Sequence, residues 1–345
     1  MLELDGRVLR AAWTVFLFVL IVALIYLARG TIVIFTLAIF LAHLIAPLVD
    51  RVQRWAPPKV SRNTVLAVVY LALVAIALAV LIPVSSKIAE QASALAMRLP
   101  DALKSDPLSR FPLPGWLEEW RPKLTEFLAE QTTGLGDRVL PFLKEIGPGI
   151  LSGLGNLVAA VLIPILSFFF LKDGRLMRNW FVECVQTHRQ SLAEEILDDL
   201  HVLVAQYIRA LVLLAMATFA SYSIALSALG APYAVLLAGI AGVLELIPFV
   251  GPLTAGVVVI LVAAVSGYPH LLWILIFLIV YRLFQDYVLS PYLLSSSIEI
   301  HPLLVLFGVL AGEQVAGVPG MFFSVPVIAA LRIVLMRMRR QQVHG

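Results

Sequence analysis

The stretch that decides the fold is YRLFQDYVLSPYLL at 281–294, followed by two breaks, IHP at 300–302 and AGEQVAGVPG at 311–320. These polar, proline and glycine residues interrupt a sequence that is otherwise almost continuously apolar. Bilayer hydrocarbon offers no hydrogen-bonding partner to the backbone groups that a broken helix frees, so lipid-facing backbone stays helical. Broken segments that carry charged and amide side chains therefore predict a protected polar site inside a membrane protein.

The composition of the 345-residue chain independently indicates a polytopic membrane protein. Hydrophobic residues make up 61% of the chain, charged residues only 14%, and the mean hydropathy is +0.97. A soluble domain of this size carries far more charge. The net charge of +3 is small and spread among the loops, so nucleic-acid binding has no support. The single cysteine, Cys184, excludes an intramolecular disulfide framework.

The sequence contains no recognisable catalytic or metal-binding motif. We find no nucleophile–base constellation, no HExxH, no Cys/His cluster and no phosphate-binding loop. Serine and histidine residues are scattered without a triad context. We therefore expect neither an enzyme nor a bound metal or cofactor.

Apolar segments of about 20 residues predict the membrane helices. Single spans are expected at 11–28, 31–49, 64–86, 150–171, 204–229 and 271–289. Two longer apolar regions, 232–266 and 302–335, are broken in the middle. Each half of the first has about 16 residues, or about 24 Å of helix, which is shorter than the ~30 Å hydrocarbon core. These regions are predicted to be re-entrant hairpins or pairs of short helices, giving an all-α fold of about eight membrane segments.

Lysine and arginine in short loops predict which loops face the cytoplasm. The basic loops 50–63 and 172–203 are assigned to the cytoplasm, as are the N-terminus and the basic tail. This assignment holds only if both broken regions return to the side from which they enter. The pattern thus predicts two helix-plus-hairpin units of opposite topology, an arrangement typical of secondary transporters.

The predicted organisation has six parts, ending in a transport core and a tail. They are three membrane helices in 1–86, an extracytoplasmic helical insertion at 87–149, a fourth membrane helix at 150–171, cytoplasmic amphipathic helices at 172–203, the two inverted units at 204–335 and a basic cytoplasmic tail at 336–345. Mixed charge and proline-punctuated helical patches identify the insertion.

The two broken regions each carry candidate site residues. An ionised carboxyl is costly in a low dielectric, so Glu245 at the first break is expected to pair, take up a proton or face water. The alternative is a structural carboxylate that accepts hydrogen bonds from backbone N–H groups freed by the break. Glu313 and Gln314 occupy the corresponding place in the second region.

The remaining polar candidates lie near the predicted cytoplasmic face. Asp286 follows Arg282 by four residues, which predicts a salt bridge on one helix face, with Gln285 one step around. A structural ion pair and a contact with a solute both remain open for these residues. Arg209 is either a pathway residue or a snorkelling arginine. His301 either titrates near neutral pH or is a turn residue at a hairpin entrance.

The prolines and glycines of the C-terminal half are interpreted as mechanical. They break helices, permit close backbone approach and serve as hinges. The residues in question are Pro248, Gly251, Pro252, Pro291, Pro302, Gly312, Gly317, Gly320 and Pro326.

Taken together, these motifs resemble those of the autoinducer-2 exporter family, also called PerM-type permeases. The resemblance rests on FFFLKDG at 168–174, YIR at 207–209, ELIPFVGP at 245–252, DYVLSP at 286–291, HPLLVLF at 301–307 and GMFFSVP at 320–326. The chain departs from the family at 285–287, where Gln-Asp-Tyr replaces the frequent Glu-Asn-Tyr. It departs again at 295–297, where three serines stand in place of a common Gly-Lys pair.

The resemblance implies a permease of the bacterial inner membrane that exports a small polar solute. Family members are associated with autoinducer-2, and others with sodium/proton exchange. We accordingly expect export of an autoinducer-2-like signal or metabolite driven by a gradient of H⁺ or Na⁺, with both termini cytoplasmic and the chain assembled as a homo-oligomer. The alternatives are a monovalent cation/proton antiporter and a channel or scaffold without coupled transport.

Overall fold

The computed structural model describes residues 6–104, 122–123, 157–293 and 300–344. Every secondary-structure element within these ranges is helical. Most of the predicted extracytoplasmic insertion, the start of the predicted 150–171 span and the serines at 295–297 lie outside the described residues.

The N-terminal half of the described chain contains four helices. They are α1 (Gly6–Leu27), α2 (Arg29–Trp55), α3 (Arg62–Lys104) and α4 (Leu157–Glu183). Val49 of α2 and Leu66 of α3 are fully buried in one apolar cluster. The Tyr70 hydroxyl and the Ser167 Oγ form a buried hydrogen bond of 2.6 Å, which links α3 to α4.

The C-terminal half contains longer helices and two pairs of short ones. They are α5 (Gln190–Ala228), α6 (Ala234–Leu244), α7 (Val250–Val265), α8 (Leu271–Phe284), α9 (Ser290–Leu293) and α10 (Pro302–His344). A 3₁₀ turn, Thr187–Arg189, precedes α5, and a π turn, Gln285–Leu289, joins α8 to α9.

Five of the described helices are long and apolar enough to cross a membrane. They cover Arg29–Trp55, Arg62–Arg98, Thr187–Ala228, Leu271–Leu293 and Pro302–Arg339. Shorter apolar helices lie at Ala12–Leu27, Ala234–Leu244 and Val250–Val265. The predicted all-α polytopic membrane fold is confirmed.

The first hairpin consists of α6, a tight turn at 245–249 and α7. Phe249 has a positive φ of 61°, a strained conformation for a residue with a side chain. The next N–H, that of Val250, donates to the Pro248 carbonyl at 2.7 Å. A Cβ added at Gly251 would lie 1.7 Å from the Leu244 carbonyl oxygen, so this turn accepts only glycine there.

The second hairpin is α10 itself, which folds back at Ala316 and Gly317. Gly317 has a φ of 63° and divides the helix into arms at 302–315 and 318–344. A Cβ added at Gly320 would lie 1.9 Å from the Gly312 carbonyl oxygen. In a straight helix, residues eight apart are separated by about 12 Å, so this approach shows that the arms run back along each other.

The two hairpins contact each other through apolar side chains. Ile247, in the turn of the first hairpin, is buried in a cluster with Val305 and Val309 of the first arm of α10. Leu244 and Val325 pack against the same cluster. The turn of one hairpin is thus seated against the side of the other.

Several helices extend past their predicted ends. α3 continues to Lys104, α4 continues to Glu183 and α5 runs without a break from the amphipathic segment into the predicted span. No proline or glycine interrupts α5 near residue 204, and a lone glycine such as Gly174 is tolerated in a helix at about 1 kcal/mol. Hydropathy marks where a helix leaves the membrane, but it does not mark where the helix ends.

Candidate functional site

Glu245 lies at the C-terminal end of α6, where its carboxylate is buried and receives two side-chain hydrogen bonds. The residue is 7% exposed. Thr218 Oγ1, on α5, donates to Glu245 Oε2 at 3.1 Å. Gln285 Nε2, in the π turn, donates to Glu245 Oε1. The donors are thus side chains of neighbouring helices rather than backbone groups freed at the break.

Tyr281 extends this arrangement by one more hydrogen bond. Its hydroxyl lies 2.9 Å from Thr218 Oγ1, and both residues are buried. Thr218 has a single hydroxyl proton, which it donates to Glu245, so Tyr281 must be the donor to Thr218. We call Thr218, Glu245, Tyr281 and Gln285 the Glu245 network.

The π turn gives Gln285 its place in the network. Tyr281 and Gln285 are one helical turn apart and are both buried on the same face. Ser290 N–H bonds to the carbonyl of Gln285, five residues earlier, which widens the helix at that point. Pro291 follows directly, and its missing N–H and bulky ring disfavour a regular α-helical turn before it. π turns inside helices occur frequently at functional sites.

Arg282 and Asp286 form the salt bridge that their spacing predicts. Arg282 Nε lies 2.8 Å from Asp286 Oδ2, and the two side chains are 41% and 44% exposed. The pair occupies the helix face beside the one that carries Tyr281 and Gln285. Among the described residues, no cationic side chain forms an ion pair with Glu245.

Glu245 and Thr218 keep hydrogen-bond partners in either protonation state of Glu245. An ionised Glu245 accepts from Thr218 and Gln285. A protonated Glu245 can donate to Thr218 Oγ1, which then rotates its own proton toward the Tyr281 oxygen. Burial of a charge without a counter-ion is costly, so exchange of a proton is the simplest way to neutralise this carboxyl group.

With Gln285 in this orientation, the network presents few oxygen atoms to a metal cation. A hard cation such as Na⁺ would need several converging oxygen ligands, whereas Gln285 presents its amide nitrogen to the carboxylate. In the part of the chain that the structure describes, no three His, Cys, Asp or Glu side chains are grouped so that they could hold a metal ion.

The other sequence candidates do not join this network. Glu313 and Gln314 are exposed beside the turn of the second hairpin, and Arg209 is exposed on α5. His301 is also exposed, and its Nδ1 accepts from the N–H of Leu303 at 3.3 Å. This contact makes His301 a capping residue at the start of α10.

Two polar contacts between helices illustrate what the sequence did not predict. Thr218 lies in an apolar helix, and only its spacing of four residues from Tyr222 hinted at a shared face. The second contact joins α2 to α5, where His43 Nε2 lies 3.1 Å from His201 Nδ1. His43 Nδ1 also bonds to the carbonyl of Ile39 at 2.8 Å. A pairing over such a sequence separation leaves no local signal.

Comparison with known proteins gives a consistent result. The sequence model described as "AI-2E family transporter" matches residues 15–340. "Putative transport protein YrrI" of Bacillus subtilis (strain 168) is 28% identical over 200 residues, which is 56% of this chain and 56% of that protein. "Putative transport protein YueF" of the same organism is 22% identical over 316 residues, or 87% of this chain and 84% of that protein.

An archaeal relative shows similar identity over a similar extent. "Putative transport protein MJ1177" of Methanocaldococcus jannaschii is 29% identical over 202 residues, which is 56% of this chain and 59% of that protein. The chain thus spans little more than half the length of YrrI and MJ1177.

Proposed function

The chain belongs to the AI-2E transporter family, and from that premise we propose that it exports a small polar solute in exchange for protons bound at Glu245. The solute is an autoinducer-2-like signal or a metabolite of similar size and polarity. The protein acts in the cytoplasmic membrane of a bacterium, with both termini on the cytoplasmic side. The direction of transport and the class of solute rest on the family resemblance.

The observation that carries the proposal is the Glu245 network. It combines a buried carboxyl group, no ion-paired cation among the described residues and neutral hydroxyl partners that can reverse their hydrogen bonds. Such a group can bind and release a proton while Glu245 and Thr218 both keep hydrogen-bond partners. Ionisable residues buried in membrane segments generally mark ion pathways and proton relays.

The position of Glu245 offers a route from protonation to movement. Its carboxylate ties the end of α6 to α5 and to the π turn. Two residues further on, Ile247 is packed against the second hairpin. A change in the charge of Glu245 changes the bonds that hold the turn of the first hairpin, and the second hairpin contacts that turn directly.

The test is transport by purified protein in proteoliposomes. Vesicles loaded with autoinducer-2 are given a pH gradient, and both solute efflux and internal pH are followed. Glu245→Gln keeps the size of the side chain and removes the ionisable group. Glu194→Gln is the matched control, since Glu194 is an exposed glutamate on α5.

Each outcome discriminates between functions. Gradient-driven efflux that is lost in Glu245→Gln and kept in Glu194→Gln supports the proposal. Sodium-driven pH change without solute movement would identify a cation/proton antiporter instead. Efflux that proceeds equally well without a gradient, or that is unaffected by Glu245→Gln, would contradict proton coupling at this residue.

A further inference from the structure

Tyr207 on α5 has a buried hydroxyl group with no hydrogen-bond partner among the described residues. The side chain is 4% exposed, and its oxygen is inaccessible to water. Buried polar atoms in folded proteins are nearly always hydrogen-bonded, because an unpartnered one costs free energy. A phenylalanine would pack equally well at this position, so packing alone does not account for the hydroxyl group.

The surroundings of Tyr207 place it where both hairpins meet α2. Its buried cluster includes Phe40 of α2, and Leu246 from the turn of the first hairpin packs against that cluster. Phe322 and Phe323 of the second hairpin also pack there. The rings of these two residues lie 5.5 and 5.0 Å from that of Phe40.

We call the contact between α2 and the second hairpin, where Phe40 meets Phe322 and Phe323, the seam. At one end the seam opens into a cleft. The cleft has a volume of about 350 Å³ and is lined by Arg29 and Val33 of α2 and by Gln314 and Pro319 at the hairpin turn. Phe40 follows Val33 by seven residues, or about 10 Å of helix. On the other side of the seam, Phe322 follows Pro319 by about one turn. The three phenylalanine rings therefore lie further along the seam than the cleft, in the direction from Val33 to Phe40.

We propose that the solute moves along this seam and that Tyr207 binds it there. The inference rests on the proposed function and names a residue that recognises the solute. Arg29 and Gln314 meet polar groups of the solute at the cleft, and the three phenylalanine rings close the seam beneath it. When these rings separate, the Tyr207 hydroxyl hydrogen-bonds a hydroxyl or carbonyl group of the solute. A phenolic hydroxyl can donate to a carbonyl oxygen of the solute, and it can accept a hydrogen bond from a hydroxyl group of the solute.

The proposal makes an unusual prediction for Tyr207→Phe. Removal of an unpartnered buried hydroxyl leaves the closed protein as stable as before or more stable. Loss of one hydrogen bond to the solute raises the half-saturating concentration about tenfold, with little change in the maximal rate. Tyr70→Phe is the matched control, because the Tyr70 hydroxyl is partnered by Ser167 and lies away from the seam.

The transport arm measures autoinducer-2 efflux and the melting temperature of wild type, Tyr207→Phe and Tyr70→Phe. We expect Tyr207→Phe to raise the half-saturating concentration without lowering the melting temperature. Tyr70→Phe should lower the melting temperature and leave half-saturation unchanged. Unchanged half-saturation in Tyr207→Phe would overturn the inference and leave the proposed function standing.

A labelling arm separates failure of this inference from failure of the proposed function. In a Cys184→Ser background, Leu211→Cys, which is buried in the same cluster as Tyr207 and leaves the three phenylalanine rings in place, is exposed to a water-soluble maleimide. Leu66→Cys, buried in the cluster between α2 and α3, is the control. Labelling at position 211 and not at 66 shows that the seam opens to water, even if wild type moves no autoinducer-2. Absence of labelling at position 211 would overturn the seam as a pathway.

Discussion

The first hairpin buries its carboxylate within a hydrogen-bonded network, whereas the second hairpin leaves its carboxylate exposed. Glu245 is held by Thr218 and Gln285 from neighbouring helices, while Glu313 lies exposed beside the turn of α10. The two hairpins use the same backbone device, a glycine-dependent reversal of a helix. Two hairpins that reverse in the same way can therefore differ in the chemistry of the glutamates that they carry.

Substitution of the turn glycines, which the two hairpins share, is expected to have the largest effect on stability. Gly251→Ala and Gly320→Ala each place a Cβ less than 2 Å from a carbonyl oxygen, so backbone must shift. We expect each to lower the free energy of unfolding by about 1–3 kcal/mol or more, measured by denaturation in detergent micelles.

Gly256→Ala is the control for both hairpins. Gly256 lies inside α7, and a Cβ there would meet nothing within 4 Å. Alanine should stabilise this helix by about 0.5–1 kcal/mol because it favours helix more than glycine does. If Gly320→Ala behaved like Gly256→Ala, the arms of α10 would not pack as described.

The difference in polar contacts predicts a smaller but asymmetric effect. Thr218→Val removes the hydroxyl that joins Tyr281 to Glu245, which leaves two buried groups short of a partner, so a loss of about 1–3 kcal/mol is expected. Ser324→Ala in the second hairpin removes only a local bond to the carbonyl of Met321 and should cost less than about 1 kcal/mol. Thermal melts of the two variants side by side test the asymmetry, and equal losses would contradict it.

The smallest effect is expected at the exposed glutamate. Glu313→Gln alters a solvent-facing side chain, so its free energy of unfolding should stay within about 0.5 kcal/mol of wild type. Its gradient-driven efflux should also match wild type. A loss of efflux comparable to that of Glu245→Gln would show that both hairpins carry coupling groups, as the corresponding positions of Glu245 and Glu313 in the two broken regions first suggested.

The hairpins were predictable because their causes are local. Glycine and proline clusters at 245–252 and 311–320 interrupt helices, and the basic residues of the flanking loops predict that the chain returns to the side from which it enters. The i,i+4 salt bridge between Arg282 and Asp286 was predictable for the same reason. The predicted second break covered ten residues, whereas in the structure only Ala316 and Gly317 within it have non-helical backbone angles.

The network around Glu245 was only partly predictable, because it depends on how helices face one another. Two pairs with the same spacing lie side by side on one helix, Tyr281 with Gln285 and Arg282 with Asp286. Sequence periodicity does not tell which pair faces the protein interior. Thr218 reaches the site only because α5 packs against both α6 and α8, and no local pattern encodes that contact.

The most direct test of proton binding at Glu245 is infrared difference spectroscopy of the purified protein across a pH titration. A protonated carboxyl group has a C=O stretching band that disappears on ionisation. The exposed carboxyl groups of the chain also give titrating bands, but a carboxyl group shielded from water absorbs at higher frequency. We predict one such higher-frequency titrating band that is present in wild type and Glu313→Gln and absent in Glu245→Gln. Persistence of that band in Glu245→Gln, or its absence from wild type, would contradict the assignment of Glu245 as the proton-binding group.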